Sequence, residues 1–581
     1  MNGSNAKLTL LKPADMAAVL IRMLTLIVSL FCFSTTVTAA STSDSDGDVL
    51  AGGSDAAVQL EATIEKLSSR KFSDKSDAIS EILNSGDPRA YQVLELMLDG
   101  ELYYVKKTGA IVLIQPTESG RVLASPLFIA GEAGVEAKGE VNLQKLSGEE
   151  MKKRKVKRVG INNTLRKQLK QGIAKLALSA ELPKQRAAAI TTLIGDLTLE
   201  TRAMLEAQLS QETDSTVSGL IDVALAIDNL NRGSDNPKAD IEVLGESLQP
   251  TARNALVSFE ASTEDPALKN QAQKAIARID QKIKYAGMAE TLFFGLSLGS
   301  VLVLAAIGLA ITFGVMGVIN MAHGELIMLG AYTTYVVQLL MPNHIGLSIL
   351  VAIPAAFIVS GLVGIAIERS VIRFLYGRPL ETLLATFGLS LILQQAVRSI
   401  FSPLNRSVAT PDWMSGYIEI NPVLSLTLNR LYIILFCLIV FALLFALLRY
   451  TRLGLQVRAV SQNRAMAKAM GVRSDRVDAL TFGLGSGIAG VAGVALSQLT
   501  NVGPNLGQSY IIDSFMVVVF GGVGNLWGTL VAGLSLGVAN KVMEPMAGAV
   551  LAKILVLVFI ILFIQKRPKG LFPQKGRSAE D

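Results

Sequence analysis

Cysteine and histidine are nearly absent from this chain of 581 residues, which has two of each: Cys32, Cys437, His323 and His344. Two cysteines so far apart, with no CxxC and no paired Cys/His spacing, exclude a disulfide framework and leave no candidate metal site. The region before Tyr285 has no histidine, which excludes Ser-His-Asp or Cys-His hydrolase chemistry there. No Walker A pattern occurs either. The stretch Gly521-Gly522-Val523-Gly524-Asn525-Leu526-Trp527-Gly528 is not followed by Lys-Ser/Thr and reads as a tight re-entrant turn. A chain without a nucleotide cradle needs a separate energy source if it pumps.

What is abundant is apolar side chain. Half of the residues (50%) are apolar and the mean hydropathy is +0.44, too hydrophobic for an ordinary soluble protein of this size. The excess is local: the chain is charge-rich and amphipathic up to Tyr285, then a series of apolar runs from Thr291 to Gln565. The net charge of +6 does not point to nucleic acid, because many basic residues flank the apolar runs and no aromatic-and-basic face is visible.

Lys7, Lys12 and Arg22 precede the apolar stretch Met23 to Phe33, and small residues follow up to Ala39 and Ala40. This layout predicts a secretory signal peptide over 1–40 and an exported segment after it. Cys32 lies inside the apolar core behind bulky Phe31, so it is not a lipidation site.

The exported domain is expected over 41–285. Apolar residues recur at helical spacing from Ser54 to Asp99 and from Ile161 to Lys284, as at Leu176, Ile190, Leu193 and Leu197. Between them a small β insert is expected near 102–146, where Tyr103-Tyr104-Val105 and Ala110 to Ile114 alternate between glycines. Later helices are expected to open near Pro183, Asp214, Pro250 and Pro266, as a HEAT-like stack or a plain bundle. The basic run Lys152 to Arg158 reads as a solvated loop or helix start rather than a dock for an acidic partner.

Nine apolar segments follow, at about 292–314, 324–341, 346–367, 380–401, 431–449, 479–500, 510–525, 527–543 and 549–565. The fold class expected is therefore mainly α: a polytopic helical membrane domain of about nine spans over 286–570, a tail over 571–581, and the exported domain in front. Basic clusters at Arg369, Arg373 and Arg378, from Arg449 to Arg476, and from Lys566 to Arg577 place three connections in the cytoplasm. An odd number of crossings ending inside begins outside, which agrees with the export signal.

Polar residues within the membrane half mark a pathway or a buried partner. Gly314 to Glu325 packs glycines, Asn320, His323 and Glu325 between two apolar runs, either as a broken helix lining a polar cavity or as ordinary helix-end caps. Small residues four apart, Gly483/Gly487, Ser486/Gly490 and Ala489/Gly493, predict a close-packing helix face. The segment Arg452 to Asp478 predicts an amphipathic helix with Val457, Val460, Met466, Ala467 and Met470 apolar and Gly471 as its C-cap. That helix lies on the membrane interface or docks into a partner.

Gly317-Val318-Ile319-Asn320-Met321-Ala322-His323-Gly324-Glu325 with Leu329-Gly330-Ala331-Tyr332 resembles the signature of permeases of the branched-chain amino-acid ABC transporter family. So do Arg458-Ala459 through Asn463, Met466-Ala467 and Met470-Gly471-Val472, then Gly521 to Gly524, and the tail Arg567-Pro568-Lys569-Gly570-Leu571-Phe572. A long exported domain on such a permease, with Leu94 to Tyr103 leading into strands, resembles the permease subunits of urea ABC transporters. The resemblance implies a bacterial inner-membrane, multi-pass, non-enzymatic importer subunit with a periplasmic N-terminal domain and a cytoplasmic C-terminus. Its partners would be a periplasmic substrate-binding protein, a second homologous permease and two ATP-binding subunits, so that this chain itself binds no cofactor and ATP is held by the partners. It also implies that Arg458, Ala459, Asn463, Met466, Ala467, Met470 and Gly471 form the ATPase coupling helix. Asn320, His323 and Glu325 are pathway candidates for urea or a short-chain amide. A branched-chain amino-acid permease, a passive channel or secondary transporter, and an anchored exported sensor are the competing readings.

Overall fold

The computed structural model describes residues 63–69, 71–85, 89–116, 122–126, 149–151 and 153–572. The expected signal peptide over 1–40 lies outside them. Two compact units divide at Ala180/Glu181, whereas the sequence places the exported domain's end at 285.

The first unit contains α1 (Phe72–Leu83), α2 (Ala90–Asp99), β1 (Leu102–Val105), β2 (Ile111–Pro116), β3 (Val122–Pro126), β4 (Glu149–Met151), β5 (Val156–Arg158) and α3 (Asn163–Ala177). The strands form one antiparallel sheet of order β4-β3-β2-β1-β5, with Leu102 opposite Leu113 and Tyr104 opposite Lys157. The sheet thus extends beyond the expected 102–146, because β5 pairs with β1. That corrects the reading of the basic run: Lys153–Lys155 form a 3-10 turn and Val156–Arg158 the edge strand, in which Val156 is buried while Lys157 and Arg158 are exposed, Arg158 donating to the Asp99 carbonyl at 3.0 Å. Leu67, Ile79, Ile82, Leu94, Met97, Leu102, Leu165 and Leu169 make the core. Asn162 caps α3 by accepting from Leu165 N at 2.8 Å.

The second unit opens with α4 (Pro183–Leu193), α5 (Leu199–Leu209), α6 (Ser215–Arg232), α7 (Pro237–Glu246) and α8 (Pro250–Ser262). Proline at the first position starts α4, α7 and α8, since its fixed φ and missing N–H cost nothing there. Asp214 caps α6 through Thr216 N (2.8 Å) and Val217 N (3.1 Å). All four expected openings coincide with helix starts. α6 packs against α4, α5, α7 and α8, so the region is a bundle around one helix rather than a stack of neighbours.

α9 (Pro266–Met316) is a single helix of 51 residues that runs through the boundary expected at 285. Its first part packs on α7 and α8 through Ala272, Ala275 and Ile279, and its second part enters the membrane bundle. Then follow α10 (His323–Leu340), α11 (Ile345–Ser370), α12 (Pro379–Phe401), the hairpin β6 (Tyr417–Asn421) and β7 (Leu424–Thr427), and α13 (Leu428–Tyr450). The chain continues with α14 (Arg452–Gln462), α15 (Arg464–Ala469), α16 (Ser474–Ser497), α17 (Leu506–Gly521), α18 (Leu526–Ala547) and α19 (Ala549–Lys566).

Each of the nine expected segments coincides with one of these helices, but seven are long and apolar enough to cross a membrane. The exceptions are α10, which has 18 residues but carries His323, Glu325 and Gln338, and α17, with 16 residues. α9 and α16 are the centre, buried almost all round, while α11, α12, α13 and α19 present Leu, Ile, Val and Phe outward as lipid-facing helices do. The small-residue face of α16 permits this packing. A Cβ on Gly490 would stand 2.5 Å from both the Ala356 carbonyl and the Ser360 hydroxyl of α11.

Candidate functional site

α9 ends at Met316, because Gly317 turns into the left-handed region (φ 68°), and α10 starts only at His323. The helix is therefore broken over 317–322. The three pathway candidates are all buried here, and they serve three different contacts. Asn320 Oδ1 accepts from Ala322 N at 3.0 Å and holds the turn. His323 Nε2 lies 2.8 Å from the Ala305 carbonyl of α9, leaving Nδ1 without a partner. Glu325 turns the other way, towards α12, and is 1% exposed.

On α12 the Glu325 carboxylate meets residues that the sequence reading missed. Oε1 accepts from Ser390 Oγ at 3.0 Å and from Gln394 Nε2 at 2.8 Å, and Oε2 has no partner. Thr386 extends the contact by accepting from Met321 N at 3.1 Å. Thr382, Thr386, Ser390 and Gln394 are all buried and four apart, so they form one stripe along the inward face of α12. The opposite face carries exposed Leu380, Leu384, Leu391 and Ile392. An apolar helix that turns hydroxyls and an amide inward, against a carboxylate with a bare oxygen, makes a polar seam midway along its length. Chemically, such a seam offers a free acceptor and hydroxyl groups in surroundings where unpaired polar groups are costly. The four-residue spacing was the signal that could have found it.

The segment expected as one amphipathic helix is two. Asn463 (φ −150°, ψ 102°) ends α14 and caps α15 by accepting from Met466 N at 2.9 Å. Val457, Val460 and Ala467 are buried with Val477, and Ala459 packs at their edge, but Met466 and Met470 are 62% and 78% exposed. The predicted apolar face is corrected accordingly: the kink at Asn463 rotates the two methionines away from the bundle. Arg458 is exposed and donates to the Leu448 carbonyl. Gly471 (φ 86°) closes α15, with Val472 N bonded to the Ala467 carbonyl at 3.0 Å.

Arg464, absent from the expected coupling set, ties this segment to the bundle. It pairs with buried Asp478 of α16, donates to the Tyr376 hydroxyl at 3.1 Å, and stacks on that ring at 4.2 Å. Burial pushes the Tyr376 phenol above its ordinary range, so it stays a neutral partner.

The glycine-rich stretch is the turn between α17 and α18, with Gly522 at φ 101°. The tail motif clasps it: Leu571 N bonds the Phe520 carbonyl at 2.9 Å, Phe572 N the Gly521 carbonyl at 3.2 Å, and Asn525 Nδ2 the Phe572 carbonyl at 3.2 Å. Among the described residues no group of three or more His, Cys, Asp or Glu is placed to hold a metal ion.

Residues 291–564 match the family described as "Branched-chain amino acid transport system / permease component". The high-affinity branched-chain amino acid transport system permease protein LivH of Escherichia coli is 31% identical over 293 residues, 48% of this chain and 94% of LivH. The corresponding permease protein BraD of Pseudomonas aeruginosa is 32% identical, covering 48% of this chain and 93% of BraD. A shorter match, 30% identical over 110 residues, is to the ribose import permease protein RbsC of Escherichia coli, 18% of this chain and 34% of RbsC. No solved structure gives a significant match. The matched residues contain the broken helix, the α12 stripe, the α14–α15 segment and the glycine turn, all inside an integral helical membrane fold. By fold and by relatedness over nearly the full length of LivH and BraD, the chain belongs to the branched-chain amino acid transport system permease family, whose members are transport subunits and not enzymes.

Proposed function

We propose that this chain is the membrane permease subunit of an ATP-driven ABC importer that moves urea or a short-chain amide from a periplasmic binding protein to the cytoplasm. The observation that carries the solute class is the Glu325 seam: its partners, Ser390 and Gln394, are neutral, and one carboxylate oxygen is free. A neutral diamide offers N–H donors to such an oxygen and to hydroxyls and needs no opposite charge, whereas a zwitterion calls for paired charges. In this reading solute passes between α10 and α12, and Asn320 and His323 brace the broken segment beside it.

The energy comes from two partner ATP-binding subunits, which dock on the α14–α15 segment. Exposed Met466 and Met470, one helical turn apart, fit the groove-filling role of a docking helix, and a second homologous permease completes the pore. In this reading that segment and the C-terminus lie in the cytoplasm of a bacterial inner-membrane protein, as the basic clusters favour, and the region over 41–285 lies in the periplasm, as the export signal and an odd number of crossings favour. That region lies ahead of the family match and on the side from which solute arrives, where it receives the binding protein or braces the complex. Deleting 54–265, ahead of α9, with uptake and binding-protein docking both unchanged, would remove that role.

The alternative solute is a branched-chain amino acid, favoured by the names of LivH and BraD. Uptake of radiolabelled urea and of leucine by cells carrying the complete system, with and without this chain and with ATP depleted, separates the readings. Chain- and ATP-dependent urea uptake without leucine uptake supports the amide reading, and leucine uptake alone returns the protein to the amino-acid branch. Urea flux that survives ATP depletion means a channel.

A further inference from the structure

Where α13 begins and α16 ends, a cavity of about 350 Å³ lies beside the β6–β7 hairpin, and Thr410, Thr427, Asn429, Arg430 and Gln498 are among its lining residues. Three of these side chains hold a buried oxygen with no hydrogen-bond partner: Thr427 Oγ1, Asn429 Oδ1 and Gln498 Oε1. Thr427 occupies the N-cap of α13, a position where a threonine hydroxyl ordinarily accepts from a first-turn amide, yet it caps nothing. Asn429 spends its amide on the Gln498 carbonyl at 2.7 Å, which orients the side chain and leaves its oxygen over. Gln498 is 7% exposed, with its amide turned to Ser497. The fourth group is a cation: Arg430, whose guanidinium sits over the Phe294 ring at 4.7 Å.

Buried acceptors left unpaired are costly, and three on one cavity, beside a donor-rich guanidinium, are complementary to one kind of molecule. We infer that this cavity binds a small solute carrying several N–H donors and one carbonyl or carboxylate oxygen. The N–H groups go to Thr427, Asn429 and Gln498, and the oxygen goes to Arg430. Urea, a short amide and an α-amino acid share this chemistry. The placement rests on the import reading: α13 runs from the cavity at Leu428 to Tyr450, directly ahead of α14, so the cavity opens at the end of the bundle away from the ATPase dock. It is the outer station of the path, ahead of the Glu325 seam.

The test uses the full complex in cells, with Cys32→Ser and Thr410→Cys, a lining position that the proposal gives no contact with the solute, in this chain and buried Cys437 left in place. Labelling with a methanethiosulfonate ethylammonium reagent is timed with urea or with leucine added. At about ten times its Kd, the solute that binds slows labelling roughly tenfold, while Ser425→Cys on the exposed face of β7 is unaffected. Asn429→Leu then raises the KM for uptake and leaves the maximal rate. Protection by urea or by leucine supports the site and identifies the solute. If neither protects while uptake is intact, the cavity holds water only and the inference falls, with import still standing. If a solute protects but the wild-type complex takes up neither, the site stands and the import reading falls. Ser415→Cys, also on the cavity lining, is used if Thr410→Cys does not accumulate.

Discussion

Gln394 of α12 donates to Glu325 of α10 across 2.8 Å, and Ser390 donates to the same oxygen from one turn earlier. α12 otherwise presents leucines and isoleucines outward, so this polar contact is what fixes its rotation against the bundle. It also leaves half of a buried carboxylate unused, at the level of the membrane where the helix before it is broken.

Removing the donor tests the seam. Gln394→Ala deletes a charge-assisted hydrogen bond worth about 1.5–3 kcal/mol, so uptake is expected to fall at least about tenfold with membrane abundance unchanged. Glu325→Gln keeps the shape and an oxygen for Ser390 and Gln394 but puts an NH2 donor where the bare Oε2 acceptor stood, and is expected to abolish uptake. Radiotracer uptake normalised to immunoblotted chain measures both, and normal uptake in Glu325→Gln overturns the seam as a pathway.

The Arg464–Asp478 pair links the proposed dock to α16. Arg464→Ala strands a buried carboxylate. Because Arg464 is 35% exposed, solvent screening holds the cost near the low end of the usual range, about 3 kcal/mol, and less chain accumulates. Arg464→Ala with Asp478→Asn restores accumulation, because no charge is left unpaired, but uptake per molecule stays low while ATPase turnover of the complex continues. A double variant that transports normally shows the pair to be structural only.

Close approach of α11 and α16 depends on Gly490. Gly490→Val pushes methyls into the Ala356 carbonyl and Ser360 hydroxyl and costs about 1–3 kcal/mol of overpacking. Reduced membrane accumulation, partly recovered by adding Ser360→Ala, is the expected result on immunoblots.

Outside the membrane bundle, Arg186 and Glu212 pair at 2.7 Å, with the Glu212 side chain 1% exposed. The Arg186 hydrogen bond, with backbone N–H groups added, lowers the Glu212 carboxyl to about 2. A depressed folded-state pKa means stability that is full above the unfolded value of 4.5 and lost as pH falls towards 2. Pepsin cleavage between α4 and α6 is therefore expected to accelerate across that window in the wild type. In Glu212→Gln the pH-dependent step disappears and cleavage is fast throughout.

The sequence determined the elements. Proline at Pro183, Pro250 and Pro266 and the capping Asp214 start helices wherever they fall, because first-turn chemistry is local. The apolar runs after Thr291 each became a helix, since backbone groups in lipid have no other partner within one segment. The small residues of α16 announced its burial, and the order of motifs identified the family.

What the sequence left open depended on partners distant along the chain. β5 was hidden because three residues acquire strand character only by pairing with β1, and the hairpin at 417–427 went unread. The break at Asn463 needed the geometry that lets one side chain end α14 and start α15. Asn320, His323 and Glu325 looked like one cluster by spacing, but backbone direction after Gly317 sends them to the turn, to α9 and to α12 respectively. Composition and periodicity give each helix its inward face. Only tertiary packing decides which helix that face meets, and hence that Glu325 faces Gln394 and that Thr427, Asn429 and Gln498 share one cavity, because such contacts join residues that no local rule relates.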